Sequence, residues 1–343
     1  MTTASVLIVY TGGTIGMVRD PRSGVMRPMD LARLEEQVPE LQAMGVRLES
    51  ISFERPLDSS DLGPEHWSRI AAIIGEHYQR FEGFVVLHGS DTMAYTASAL
   101  SFLLEGLGKP VVLTGSQLPI GSIRTDAREN LITAIEIASA RDEFGRPMVP
   151  EVSVYFEYRL YRGNRTVKVH AERFQAFRSP NWPELAEAGV HIRYDRSAIL
   201  PHRDRPFKVH DRIDTGVGVM RLFPGIRSTW VEGLLGSDGL QAVVMTSFGS
   251  GNGPTERRFL EALRRARERG ITIINVTQCD GGRVEQGRYT TSASFNELGI
   301  VPGADLTVEA ALTKCMFLLG QGHRGEALSE RLKNPIAGEL TLA

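Results

Sequence analysis

Short β-branched runs alternate along this chain with stretches whose apolar residues recur at helical spacing, and that alternation restricts the fold more than any other feature. A strand–helix–strand rhythm calls for a mostly parallel sheet with helices packed on both faces. The clearest predicted strands are Ser5–Tyr10, Gly83–Leu87, Pro110–Thr114, Glu151–Phe156, Ala242–Thr246 and Ile271–Val276. Between them, Glu65–Phe81 puts Trp67, Ile70, Ile74, Tyr78 and Phe81 on one helical face, with Pro64 as a start signal. Thr92–Gly106 is a second predicted helix, stopped by Gly106 and Gly108. Glu256–Gly270 is a third, with Phe259, Leu260, Leu263 and Ala266 inward.

At 343 residues the chain exceeds what one core usually supports, about 250–300 residues. Segment 196–216 is charged, contains Pro201 and Pro206, and shows no apolar period, so it reads as a linker. The expected class is therefore α/β with two α/β domains. A larger N-terminal domain, 1–195, holds a mostly parallel sheet with flanking helices; a smaller C-terminal parallel-sheet domain spans 217–343.

Composition excludes several partners. Thirty-nine Lys and Arg against 41 Asp and Glu, a net charge of −2, leave no electrostatic case for nucleic acid or an anionic membrane. The arginines of 256–270 are interspersed with Glu256, Glu261 and Glu268, which makes that face a solvated one. No stretch nears the roughly 20 apolar residues that span a bilayer, and the first ten residues lack a basic leader, so a cytoplasmic protein is expected. Cys279 and Cys315 are the only cysteines, which leaves no disulfide framework and no Cys-based zinc site. Cys315 falls in an apolar helical pattern and reads as a core thiol. His202 and His210 lack companion ligands, and there is no HExxH and no EF-hand loop; no metal and no cofactor is expected.

Ligands of open parallel sheets bind beyond the carboxyl ends of the strands. After the first predicted strand come Thr11-Gly12-Gly13-Thr14-Ile15-Gly16-Met17, and after the second His88-Gly89-Ser90-Asp91-Thr92. Gly115-Ser116-Gln117 follows the third, and Tyr161 to Lys168 follow the fourth. Glycines at 12, 13 and 16 do not match GxGxxG, and no GxxxxGK[ST] occurs. Two consecutive glycines instead let the backbone turn sharply and present Thr14 with free amides. A lone TGGT would be a strand-to-helix turn, and Ser90 or Asp91 alone would be a helix cap. Together Thr14, Ser90, Asp91 and Lys168 supply a hydroxyl nucleophile, a possible base and an orienting acid. Lysine serves as a base only if desolvation or cationic neighbours hold it neutral.

These residues, with others along the chain, resemble the bacterial-type L-asparaginases and, within them, the type I, cytoplasmic branch. The similarity is carried by TGGTIGM (Thr11–Met17), DSSD (Asp58–Asp61), HGSDTMAYTASAL (His88–Leu100), LTGSQ (Leu113–Gln117) and RLYRGNRTVK (Arg159–Lys168). SFGSGN (Ser247–Asn252), TQC (Thr277–Cys279), GGR (Gly281–Arg283) and LTVEAALTK (Leu306–Lys314) extend it over both inferred domains. The resemblance implies L-asparagine as substrate, hydrolysed to L-aspartate and ammonia, with weak activity on glutamine. It implies Thr14 as nucleophile, with Ser90, Asp91 and Lys168 in proton transfer and backbone N–H groups stabilising the oxyanion. Asp58, Ser59, Ser60, Ser90 and Asp91 would clamp the substrate's α-amino and α-carboxyl groups. It further implies a homodimer or homotetramer, with active sites at an intimate dimer interface that Asn252 approaches from the neighbouring subunit.

Three departures from the family pattern matter. Ser90 replaces the usual threonine, which keeps the hydroxyl but drops the methyl that restricts its rotamer. SGVMRP, with Val25, stands where many relatives carry a tyrosine after TGGTIG. Thr246 and Val167 stand where allosteric type I members use an arginine and a threonine for a second asparagine, so weak or absent homotropic activation is expected. Two competing readings carry less. The related tRNA amidotransferase subunit normally has an extra N-terminal domain, whereas the first predicted strand here starts at Ser5. A silent amino-acid sensor would keep only the clamp, whereas every group proposed for proton transfer here is chemically competent.

Overall fold

All eight residues of β1 (Ser5–Gly12) are buried, as befits a strand covered on both faces of its sheet. Val6 and Ile8 share a core with Leu131 and Ile135. Leu7 and Val9, equally buried, therefore face the opposite layer. The computed structural model describes residues 4–19, 26–28, 38–202, 205–288 and 290–342. Val25 lies outside them. The chain divides into two units, Met1–Asp211 and Arg212–Ala343.

In the first unit β1 pairs in parallel with β2 (Arg47–Leu57) on one side and β3 (Gly83–Leu87) on the other. β4 (Val111–Thr114) and β5 (Val152–Phe156) continue the parallel run. The direction then reverses. Glu157 and Tyr158 make a two-residue turn with φ of 47° and 66°, and β6 (Arg159–Arg162) returns antiparallel to β5. Next, β7 (Val167–Lys168) and β8 (Phe177–Arg178) form a separate ribbon. β9 (Ala186–Glu187) and β10 (Arg193–Tyr194) complete the large sheet, ordered β10-β9-β6-β5-β4-β3-β1-β2. It is mixed and mostly parallel.

Helices α1 (Pro64–His77), α2 (Met93–Leu103) and α3 (Ala127–Ser139) belong to this unit. α3 was not among the predicted helices, although Leu131, Ala134, Ile135 and Ala138 bury one face of it. Residues 207–210, within the segment expected as a linker, are packed on the first unit. Phe207 stacks on Tyr78 at 3.7 Å between centroids, and Lys208–Val209 pairs with Leu104–Glu105.

The second unit is a small all-parallel sheet of β11 (Val217–Arg221), β12 (Ala242–Ser247), β13 (Thr272–Thr277) and β14 (Val301–Pro302), in that order. α4 (Ser228–Leu235) and α5 (Arg257–Glu268) bury Val231, Phe259 and Leu263 against Met245 and Ile273. α6 (Val308–Gly320) and α7 (Gly325–Leu332) supply the other layer. The expected fold class, a larger mostly parallel sheet and a smaller parallel one, is the one observed. Cys315 on α6 is buried, and burial pushes its thiol up to about 12. No helix among the described residues is long and apolar enough to cross a membrane.

Candidate active site

β1 lies between β2 and β3, so the chain leaves it toward one side of the sheet and later returns on the other. That reversal opens a crevice at the carboxyl ends of adjacent strands. Thr14 follows β1, Ser90 and Asp91 follow β3, and Asp58 to Ser60 follow β2. Three of the loops singled out in the sequence thus leave three neighbouring strands on the same edge.

Glycine is what lets these loops meet. Gly12 and Gly13 have φ of 135° and 84°, a region that disfavours any side chain. A Cβ on Gly12 would stand 2.0 Å from the Leu57 carbonyl oxygen, and one on Gly13 would stand 2.4 Å from the Gly89 nitrogen. Gly13 N–H donates to the Leu57 carbonyl at 3.1 Å. Thr14 opens a single 3-10 turn, Thr14–Gly16, and is partly exposed. Among the described residues its hydroxyl makes no hydrogen bond.

Lys168 Nζ donates to Ser90 Oγ at 2.9 Å and to Asp91 Oδ1. The lysine side chain is 16% exposed and that of Asp91 66%. Neither Ser90 nor Asp91 caps the helix that follows: the residue at the helix start is Thr92, with no side-chain cap bond. Thr92 Oγ1 instead donates to the Ser59 carbonyl at 2.6 Å, tying the β3 loop to the β2 loop. Asp58 does act locally, since its Oδ1 accepts from Ser60 N–H at 2.9 Å and Ser60 Oγ at 2.7 Å. Those bonds hold its carboxyl below the usual range. Ser59 is buried, while Asp58 and Ser60 are exposed.

The route to Lys168 differs from the sequence expectation. It does not follow directly from the carboxyl end of the fourth strand, because β6 first carries the chain back antiparallel. The 3-10 turn Gly163–Arg165 then packs along α2. A Cβ on Gly163 would stand 3.1 Å from Ala97 Cβ, so the turn lies tight on that helix. The chain thereby reaches Ser90 and Asp91, just before the amino end of α2.

His88 is fully buried. Its Nδ1 lies 2.6 Å from the Gly89 carbonyl and its Nε2 2.8 Å from Thr96 Oγ1. A carbonyl only accepts, so Nδ1 carries the proton, and the neutral ring accepts from the Thr96 hydroxyl at Nε2. Desolvation pulls the imidazole from 6.5 down to about 4. Between those values the unfolded chain binds a proton that the folded one refuses. This site's contribution to stability is therefore complete above pH 6.5 and lost as pH falls toward 4, by about 3 kcal/mol in all. Urea unfolding at pH 7 and pH 4.5 checks this: His88→Gln is expected to lose less stability on acidification than the parent protein.

Residues 5–200 match the family described as "Asparaginase, N-terminal", and residues 216–332 match "Glutaminase/Asparaginase C-terminal domain". The chain belongs to the asparaginase family. It is 43% identical to L-asparaginase 1 of Escherichia coli strain K12 over 338 residues, 98% of each chain. It is 41% identical to the 60 kDa lysophospholipase of Mus musculus over 365 residues, covering 98% of this chain and 62% of that protein. The crystal structure of L-asparaginase I from Vibrio cholerae superposes with a TM-score of 0.90 at 36% identity, covering 99% of this chain and 100% of that one.

Of the remaining site expectations, Asn252 and Thr246 fall in the second unit and Val167 in the first. Asn252 pairs with Phe248 in a tight turn after β12, and its Oδ1 accepts from Thr291 Oγ1 at 2.8 Å. Thr246 is buried near the end of β12, and Val167 lies on β7. Among the described residues no three His, Cys, Asp or Glu side chains are grouped to hold a metal ion. Sequence reasoning missed His88, Thr92, Asp126 and Asn130 as supports. Asp126 accepts from Gln117 N–H at 2.9 Å and Leu118 N–H at 3.1 Å, and Asn130 Nδ2 donates to the Gly115 carbonyl at 2.9 Å. Recognising α3 by its period would have shown Asp126 and Asn130 one turn apart at its amino end.

Proposed function

We propose that this chain hydrolyses L-asparagine to L-aspartate and ammonia through a covalent acyl-enzyme on Thr14. The observation that carries the reading is Lys168 Nζ bonded to both Ser90 Oγ and Asp91 Oδ1, on a loop that touches the Thr14 loop at Gly13 and Gly89. Membership of the asparaginase family supports the substrate.

Thr14 Oγ1 attacks the side-chain amide carbon of the substrate. The hydroxyl proton passes by way of Ser90 and Lys168 to the departing nitrogen, which leaves as ammonia. Water then cleaves the β-aspartyl ester, returning the proton to Thr14. Backbone N–H groups of the glycine loops stabilise the oxyanion, a contribution of about 3–4 kcal/mol per well-placed donor. Asp58, Ser59, Ser60, Ser90 and Asp91 hold the charged α-substituents. Two or four copies assemble, with Asn252 facing the neighbouring copy's site, and neither metal nor cofactor takes part.

Ammonia release from asparagine and glutamine over a wide concentration range tests the reading. Asparagine is expected to be the better substrate, glutamine a weak one, since an extra methylene shifts pocket preference by about 1–3 kcal/mol. The asparagine curve is expected to be hyperbolic, because Thr246 and Val167 replace the residues of the allosteric pattern; a clearly sigmoidal curve overturns that expectation. A chain that binds asparagine without releasing ammonia overturns the function itself.

A further inference from the structure

Lys168 stands on a slight support. β7 and β8 pair over two residues each, Val167 opposite Arg178 and Lys168 opposite Phe177, and join no larger sheet among the described residues. A two-stranded ribbon of this length has little stability of its own. Phe177, directly opposite Lys168, is held by packing on Phe156 at 5.0 Å between ring centroids. At the connecting loop, residues 171–173 are exposed and bury nothing that would anchor them.

The anchor there is polar. Gln117 Nε2 donates to the carbonyls of Ala171, at 3.3 Å, and Arg173, at 2.8 Å, which employs both hydrogens of its amide. Gln117 is itself held. Both carboxylate oxygens of Asp126 accept its backbone N–H, at 3.1 and 2.9 Å, and Asp126 is 7% exposed. Asn130 fixes the same loop through the Gly115 carbonyl and also accepts from Glu157 N–H at 3.0 Å, at the turn into β6. A chain of bonds therefore runs from α3 through Gln117 to the loop of the ribbon that carries Lys168.

We propose that Gln117 is a positioning residue that braces the β7–β8 ribbon and so keeps Lys168 Nζ on Ser90 and Asp91. This rests on the reading of Lys168 as a proton relay. The clamp residues Asp58 to Ser60 follow β2, and Ser90 and Asp91 follow β3, so none of them is carried by the ribbon and losing the brace acts on turnover more than on binding. Gln117→Met removes both donors at nearly constant volume, and Gln117→Glu sets a carboxylate against two carbonyl oxygens.

The test is steady-state asparagine hydrolysis across pH by Gln117→Met, Gln117→Glu and Lys168→Met, with a thermal melt of each. Both Gln117 variants are expected to lose kcat by about 10- to 100-fold with KM nearly unchanged, the scale of a small misplacement of a reacting group. The pH midpoint of kcat is expected to move, and that midpoint reports the surroundings of the relay rather than the amount of folded protein. Wild-type kcat and pH profile in Gln117→Met overturn the brace. So does a loss of activity that only matches a loss of folded protein, with the profile unmoved. Wild-type kcat in Lys168→Met overturns the relay reading itself, whereas an inactive Lys168→Met beside a fully active Gln117→Met overturns the brace alone.

Discussion

Thr14→Ala is expected to abolish ammonia release from asparagine, with kcat lower by at least about 10⁴-fold, while asparagine still binds. Residual binding follows from position: the proposed clamp residues leave β2 and β3, and the Thr14 methyl and hydroxyl are not part of their hydrogen bonds. Thr14→Ser keeps the oxygen and loses the methyl that restricts χ1, so it should retain partial activity. Lys168→Met should act on the same step with a smaller loss, about 10²–10⁴-fold, the range of a general acid–base group. Rapid-quench ammonia assays and calorimetric titration with asparagine separate the two effects. Wild-type turnover in Thr14→Ala would remove this residue as nucleophile.

The second large effect is on stability. Lys314, inside LTVEAALTK on α6, forms an ion pair with Glu339 at 2.7 Å, and both side chains are 0% exposed. Lys314 Nζ also donates to the carbonyls of Leu332, at 3.0 Å, and Asn334, at 2.6 Å. Glu339 accepts from the N–H groups of Ile336 and Ala337. The pair thus stitches the chain after α7 onto α6. Desolvation pulls the lysine down from its ordinary value, opposed by the carboxylate beside it. Lys314→Met leaves a buried carboxylate without its cation and is expected to cost about 3–5 kcal/mol. Urea unfolding measures this. Adding Glu339→Leu should recover part of the loss, because no lone charge then remains buried; equal stability of Lys314→Met and the parent would show the pair to be dispensable.

The two halves of the proposed machinery were unequally legible in the sequence. Thr14, Ser90 and Asp91 announce themselves because each follows a continuous apolar run, and the glycines beside them mark sharp turns. Asp58 could be read as a turn residue, and it does cap one, through Ser60. Lys168 could be named by resemblance, but its path could not be read. The reversal into β6 uses Glu157 and Tyr158 at positive φ, where the usual signal is Asn-Gly or a glycine. β2 gave no clean alternation either. It is an edge strand with an irregular register between Tyr10 and Gly12 of its neighbour, so most of its residues remain partly exposed.

What this sequence determined by itself is local: the apolar periods that make parallel strands and their helices, the glycines at 12 and 13, and the family motifs after the strand ends. Those signals survive in one dimension because backbone sterics and burial act over a few residues. Tertiary structure decided which groups meet. Lys168 and Asp91 are 77 residues apart in the chain, Gln117 and Arg173 56, and the Lys314–Glu339 pair is closed across α7. Such contacts leave no periodic trace. A polar side chain looks the same in sequence whether it faces water or holds a distant carbonyl, and only the fold sets that partner.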